Sequence, residues 1–371
     1  MTMWHGLRFI GNISFYVLVF LFTAQFVQAQ SSTILPAKVI GAGDIVSQET
    51  NGLGKGSFTQ DVIARIKDGD TTRVVSFSND FTPLKKDDHI YLRVTHDSGE
   101  IFYSVYDVDR RWPLVALGII FATVIVIFGG RSGLRSLLSL VVSIAVIIYI
   151  LMPIIASGRS PLLWGMTIAI ALLAFVMGAT HGLRPKTYAA FLGTSIAVAI
   201  TGALAVVITR MMMFSGIGTE DAFFLSASRE SIDMASLLLT GIIIGMIGVL
   251  DDVAITQAAV VMELKRAGVR GVRTLYTRAM VVGREHVGAL INTLVLAYAG
   301  ASLPLFLLLA TYNEPFGAVI SIEVVSVEVV RSLVGSIGLI VAVPITTFLA
   351  TSFTARDCED ASTSCAHKHK H

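Results

Sequence analysis

Two adjacent carboxylates, Asp251 and Asp252, lie in the middle of an apolar run from Ala235 to Leu264. A helix of that length is about 45 Å long, enough to cross the roughly 30 Å hydrocarbon core of a bilayer with tilt. A charge in hydrocarbon costs a few kcal/mol or more, so it persists where a bundle interior or a water path receives it. Carboxylates held in that way bind and release protons or other cations. Two like charges side by side in a poorly solvated place resist joint ionisation, which suits proton uptake. Asp251 and Asp252 are therefore the candidate proton or ion-binding pair.

The helix that carries the pair should position it through a small-residue face. Gly241, Gly245, Gly248, Asp252 and Thr256 recur at offsets of three and four, so they share one stripe. Small residues let neighbouring helices approach closely. Asp251 points about 100° away from Asp252 on an ideal helix. Gln257 faces away from Asp252 and is assigned no role. Supporting polar groups are expected from Thr256 and from two later spans, in Asn292 and Thr293 and in Thr346. Gly335 and Gly338 form a second packing stripe on the last span. If these three helices pack together, the polar groups converge on the aspartates.

Other chemistry-bearing residues read as structural. Glu263 suits an interfacial charge paired with a nearby Lys or Arg, and His286 a membrane-surface anchor. Met211–Met213 reads as an apolar patch. The tail around Cys358 and Cys365 matches no zinc spacing, so no metal site is expected. No Walker A, G-x-S-x-G or H-E-x-x-H sequence occurs, and no second intramembrane aspartate stands on another span. Neither enzymatic activity nor a cofactor is expected.

The composition calls for a membrane protein that crosses many times. Of 371 residues, 54% are hydrophobic and only 15% charged, with a mean hydropathy of +0.74. No basic cluster interleaves with aromatics, so nucleic acid is not an expected partner. Both cysteines lie at the C-terminus, which excludes a disulfide framework.

The expected fold is a polytopic α-helical membrane protein, with seven or eight transmembrane helices and a small extracytoplasmic β-barrel-like domain near the N-terminus. Residues 1–29 read as a signal peptide or a retained N-terminal helix. Residues 30–111 form the β domain, of OB or SH3-like size; from 31 to 111 there are ten Lys/Arg and twelve Asp/Glu among alternating strand-like runs. These include Arg73–Ser78, Asp88–Val94 and Ile101–Tyr106, with a turn at Lys86–Asp88. The membrane domain, 112–354, holds seven apolar segments at 113–129, 134–156, 162–179, 187–209, 235–264, 287–311 and 332–352. Between the last three, residues 265–286 suggest an interfacial helix and 318–331 a short amphipathic one. Residues 355–371 read as a flexible cytoplasmic tail.

One set of loops, with the tail, carries thirteen Lys/Arg; the alternate loops carry only Arg159, Arg210, Arg229 and Arg331. The positive-inside rule puts the first set and the C-terminus in the cytoplasm of a bacterial cell and the β domain outside.

Three stretches resemble the YibE/F family of multi-pass bacterial membrane proteins: Gly248–Gln257, Gly283–Pro304 and Glu328–Thr347. The resemblance covers roughly residues 85 to 352. It implies an extracytoplasmic N-terminal domain on a multi-pass membrane protein, and it implies no substrate. The acidic helix, followed by a basic segment and two further spans, is also similar to the proton-driven half of resistance-nodulation-division transporters, where intramembrane aspartates take up protons. This chain departs from that pattern in its much smaller outer domain and one extra span.

The expected function is a proton-coupled transporter or permease, with H+ or another cation, a small substrate and the lipid bilayer as partners, and with oligomerisation allowed. The alternative is a non-transporting scaffold or assembly factor that binds an extracytoplasmic protein through its β domain.

Overall fold

The computed structural model describes residues 32–47, 58–68, 71–97, 100–182, 184–229, 231–311 and 314–368. The expected signal peptide or first helix, residues 1–29, lies outside these. The chain divides into two compact units between Phe128 and Gly129.

The first unit holds an antiparallel sheet. Strand β1 (Ser32–Ala42) lies between β3 (Phe58–Asp68) and β5 (His89–Asp97). β6 (Glu100–Val108) pairs with β5, and β3 also pairs with β4 (Thr71–Asn79) and the two-residue β2 (Val46–Ser47). The three strand-like runs in the sequence fall on β4, β5 and β6. Side-chain alternation is clearest in β3, where Gln60, Val62, Ala64 and Ile66 are buried between exposed neighbours. With Val39, Ile90 and Leu92 they form the core of this unit.

The sheet is not the closed barrel the sequence suggests. β4 and β6 come near each other, but no ladder joins them among the described residues. Alternation shows that one face is buried, a property that curled sheets and barrels share. They differ in whether the edge strands pair, and that pairing has no local sequence signal.

A buried amide fastens one end of the sheet. Gln60 donates to the carbonyls of Gly43 (3.1 Å) and Leu84 (2.9 Å) and accepts from Leu84 N (2.9 Å) and Asn79 Nδ2 (3.3 Å). Where β6 runs out, Asp109 accepts from the backbone N of Arg111 (3.0 Å) and takes its guanidinium in a bidentate clasp at 2.7–3.1 Å. The Arg111 guanidinium also lies over the Tyr91 ring, 5.3 Å from its centroid. Helix α1 (Arg111–Val146) starts from this joint.

α1 is interrupted at Gly130, whose φ of 52° and ψ of −132° suit a residue without a side chain. Beyond it, the helix passes through a π turn (Ile147–Leu151) into α2 (Met152–Ala156). Pro153 has no N–H and its ring would crowd a normal preceding turn, and the wider turn relieves this. The remaining helices are α3 (Pro161–His181), α4 (Pro185–Met211), α5 (Glu220–Ser228), α6 (Met234–Arg266), α7 (Val272–Ala301), α8 (Leu303–Thr311), α9 (Phe316–Ser321) and α10 (Glu323–Lys368).

Six helical runs among the described residues are long and apolar enough to cross a membrane. The chain is therefore a membrane protein. The first run, Arg111–Ala156, contains two of the seven apolar segments. Two expected short helices are parts of longer ones: residues 272–286 begin α7, and residues 323–331 begin α10. α10 also continues to Lys368, through the segment expected to be a tail.

α6 is central in the second unit, packing on α3, α4, α7 and α10, and α10 packs on α4 and α7 as well. Leu250, Val253, Ala254 and Ala258 are fully buried in this core. Close approaches occur where glycine faces a side chain. Gly193 on α4 meets Thr346, and Gly165 on α3 meets Thr240. Capping fixes the ends of α6. The Asp233 side chain accepts from Ser236 N at 3.2 Å, Lys265 and Arg266 occupy the last turn, and Gly268 follows with a φ of 87°.

Candidate functional site

The aspartate pair lines a cavity of about 420 Å3 between α1, α3 and α6. Oδ1 of Asp251 is buried and has no hydrogen-bond partner. Asp252, one position on, is exposed where it meets the cavity. Leaving a carboxylate oxygen buried and unpaired costs more than leaving a neutral group so, because the ion loses its hydration without replacement. A proton or a cation at Asp251 removes that cost.

The opposite walls bring hydroxyls and an imidazole to the pair. α1 presents Ser136, Ser139 and Ser143, spaced to lie on one helical face, and α3 presents Thr180 and His181. The Ser139 and Thr180 hydroxyls are 3.5 Å apart, which sets the level of α1 against α3. Ser139 donates to the Ser136 carbonyl and Ser143 to the Ser139 carbonyl, each at 2.8 Å. Their oxygens still have lone pairs with which to accept from a guest. His181 lies within electrostatic reach of both Asp252 and Lys186.

These partners are not the ones the sequence suggested. Asn292 and Thr293 are exposed on α7, and Thr293 donates to its own helix at the Ala289 carbonyl. Thr346 is fully buried against Gly193, with its hydroxyl unpartnered. None of the three lines the cavity. Thr256 is exposed on α6 and does not line it either. α7 and α10 do pack on α6, but they meet it around Gln257, Met246 and Leu250.

The small-residue stripe of α6 is also not its packing seam. Nothing lies within 4 Å of a Cβ built at Gly241 or Gly248, and at Gly245 only the Tyr298 hydroxyl does, at 3.7 Å. Small residues permit close approach without requiring it. Gly335 and Gly338 on α10 do have neighbours. A Cβ at Gly335 would lie 3.1 Å from Leu294 Cδ2, and one at Gly338 would lie 3.0 Å from Thr201 Cγ2. Glu263 pairs with Arg266 at 2.6 Å on the surface, and His286 is exposed.

Gln257 carries a structural role on the side of α6 away from the cavity. Only 3% exposed, it donates to the Ala279 carbonyl of α7 (3.0 Å) and to the Thr347 hydroxyl of α10 (2.7 Å). A Cβ at Gly283 would stand 2.9 Å from its amide and 2.7 Å from Val343 Cγ1. One amide thus binds three helices.

Of the cavity residues, the Ser136, Ser139 and Ser143 stripe was visible as hydroxyls at helical spacing in an apolar segment. His181 was visible as a titratable group closing the next one. Nothing in the sequence stated which faces these would meet.

The family model described as YibE/F-like protein matches residues 117–356, well over half of the chain. No curated protein and no solved structure matches it.

Proposed function

We propose that this chain, which belongs to the YibE/F-like family, is a proton-coupled transporter or permease in which Asp251 and Asp252 bind the driving proton. The observation that carries the reading is the buried, unpartnered Oδ1 of Asp251 in a cavity wall. Protonation removes one charge from the pair, and a less charged helix has a different preferred contact with α1 and α3. A proton gradient then shifts the balance between two arrangements of the cavity. Serine and threonine hydroxyls beside His181 offer a route for protons to the pair.

The Lys/Arg distribution supports a cytoplasmic C-terminus and an extracytoplasmic sheet in a bacterial plasma membrane. It also supports seven crossings. The 46-residue run Arg111–Ala156 is about 69 Å long, more than twice the bilayer core, and is broken at Gly130.

The test is proton uptake by purified protein in liposomes under an imposed pH gradient, read by an internal pH-sensitive dye. Wild type should conduct, and the Asp251→Asn/Asp252→Asn protein, inserted and monodisperse, should fall to the protein-free background. Undiminished flux in the double variant overturns the reading.

A further inference from the structure

The geometry points to an amphiphilic organic cation as the guest of this cavity, with its onium head against Asp251 and Asp252 and its apolar body among Ile147, Ile168, Leu172 and Ile244. The inference rests on the proposed proton-coupled reading and names the substrate class for the same site.

It comes from the way polarity is ordered along the cavity. α1 and α3 are aligned by the Ser139–Thr180 contact. α3 and α6 are aligned by the close meeting of Gly165 with Thr240, and His181 and Asp252 line the same cavity. With the three helices so aligned, Ser136, Thr180, His181 and the two aspartates gather at one end. Ile147, Ile168, Leu172, Ile244 and Ile247 gather at the other. The intervening stretch of α6, from Ile244 to Asp251, is about 10 Å long.

Charge selects the head group. Two carboxyl groups stand on the wall, and no Lys or Arg lines the cavity. The titratable group on the opposite wall is His181 on α3, with Lys186 on α4 beyond it, nearer His181 than the pair. A metal ion suits the site less well, because no three His, Cys, Asp or Glu among the described residues form a metal-holding group. Size agrees with an organic guest, since about 420 Å3 falls within the ~300–1,000 Å3 of sites for drug-sized molecules. An organic cation and a proton would then compete for the same carboxylates, which is the minimal requirement for exchange of one against the other.

The experiment uses the full-length chain in nanodiscs of zwitterionic lipid, with tritiated tetraphenylphosphonium as probe. Binding should saturate and be displaced by benzyltriethylammonium but not by its uncharged carbon isostere. Asp251→Asn/Asp252→Asn should weaken it about tenfold or more. Leu172→Trp keeps both carboxylates and fills the apolar end, and should weaken it by a comparable factor. Absence of saturable binding, unchanged affinity in the double variant, equal displacement by the isostere, or saturable Mn2+ binding in place of the onium each overturns the proposal. If liposome proton flux still depends on the aspartates in that event, the proton-coupled reading stands and only the substrate class fails. If flux is undiminished in the double variant, the proton-coupled reading fails whatever the onium does.

Discussion

Asp109 ties the sheet to α1 and does so through charge. The Arg111 side chain and backbone N–H hold its carboxyl down at about 2, against an ordinary value of 3.8. Its side chain is only 6% exposed, while that of Arg111 is largely open to solvent. A carboxyl depressed on folding stabilises the folded state above its ordinary value, and that contribution fades as the pH falls through the folded value. Wild type should therefore melt above Asp109→Asn at about pH 6, and the gap should close as the pH approaches 2. A gap that stays constant over that range, read by thermal unfolding in detergent, would mean that the clasp is not electrostatic. At this scale the sequence was legible where a residue contradicts its surroundings. Asp251 and Asp252 were found because charge is out of place in a long apolar run. Ser136, Ser139 and Ser143 were passed over because hydroxyls are unremarkable in a membrane helix, where serine bonds its own preceding carbonyl. Gln257 was left without a role for a similar reason. It was seen to face away from the aspartates, but which partners wait on that face is a tertiary fact.

At the scale of elements, periodicity gave the helices and the strands, and the way they join was less visible. The apolar segments at 162–179, 187–209 and 235–264 fall inside α3, α4 and α6. The boundary of α7 is about four turns earlier than the apolar segment suggests, because the basic residues from Arg273 to Arg284 read as a separate interfacial helix, although they continue the same one. Glycine stripes misled in a specific way. Gly241 and Gly248 have open space around them and Gly245 only an ordinary contact with Tyr298, while the tight contacts are at Gly165, Gly193 and Gly283. Gly283 provides the sharpest check. Gly→Ala in a helix interior normally stabilises by up to about 1 kcal/mol. Here the added methyl would press on Val343 and the Gln257 amide, and overpacking of that kind costs on the order of 1–3 kcal/mol. Gly283→Ala should therefore lower the melting temperature, and a rise would show that the α6–α7–α10 junction has slack.

For the whole molecule, the number of crossings and the side on which each loop emerges decide what the cavity can exchange with. Composition alone identified a membrane protein, since hydrocarbon accepts few sequences of another kind. The proposed sidedness rests on charge bias and is open to a direct test. With Cys358 and Cys365 replaced by serine, a cysteine at Arg159 should react with a membrane-impermeant maleimide added to intact cells. One at Arg184 should react only after the membrane is opened. The opposite pattern would invert the topology and place the polar end of the cavity on the outer side.

The clasp at Gln257 has a consequence for motion. A carboxamide keeps one charge state over the whole range in which proteins survive, whereas a carboxylate pair does not. α6 is thus held on one flank by bonds indifferent to pH and bordered on the other by groups that answer to it. In the proposed mechanism a rearrangement driven by protonation would be anchored at α7 and α10 by Gln257 and would be taken up towards α1 and α3. On the proposed reading a single helix has one flank whose bonds keep their strength at every pH and one whose charge can change, which gives an acid-driven rearrangement a direction.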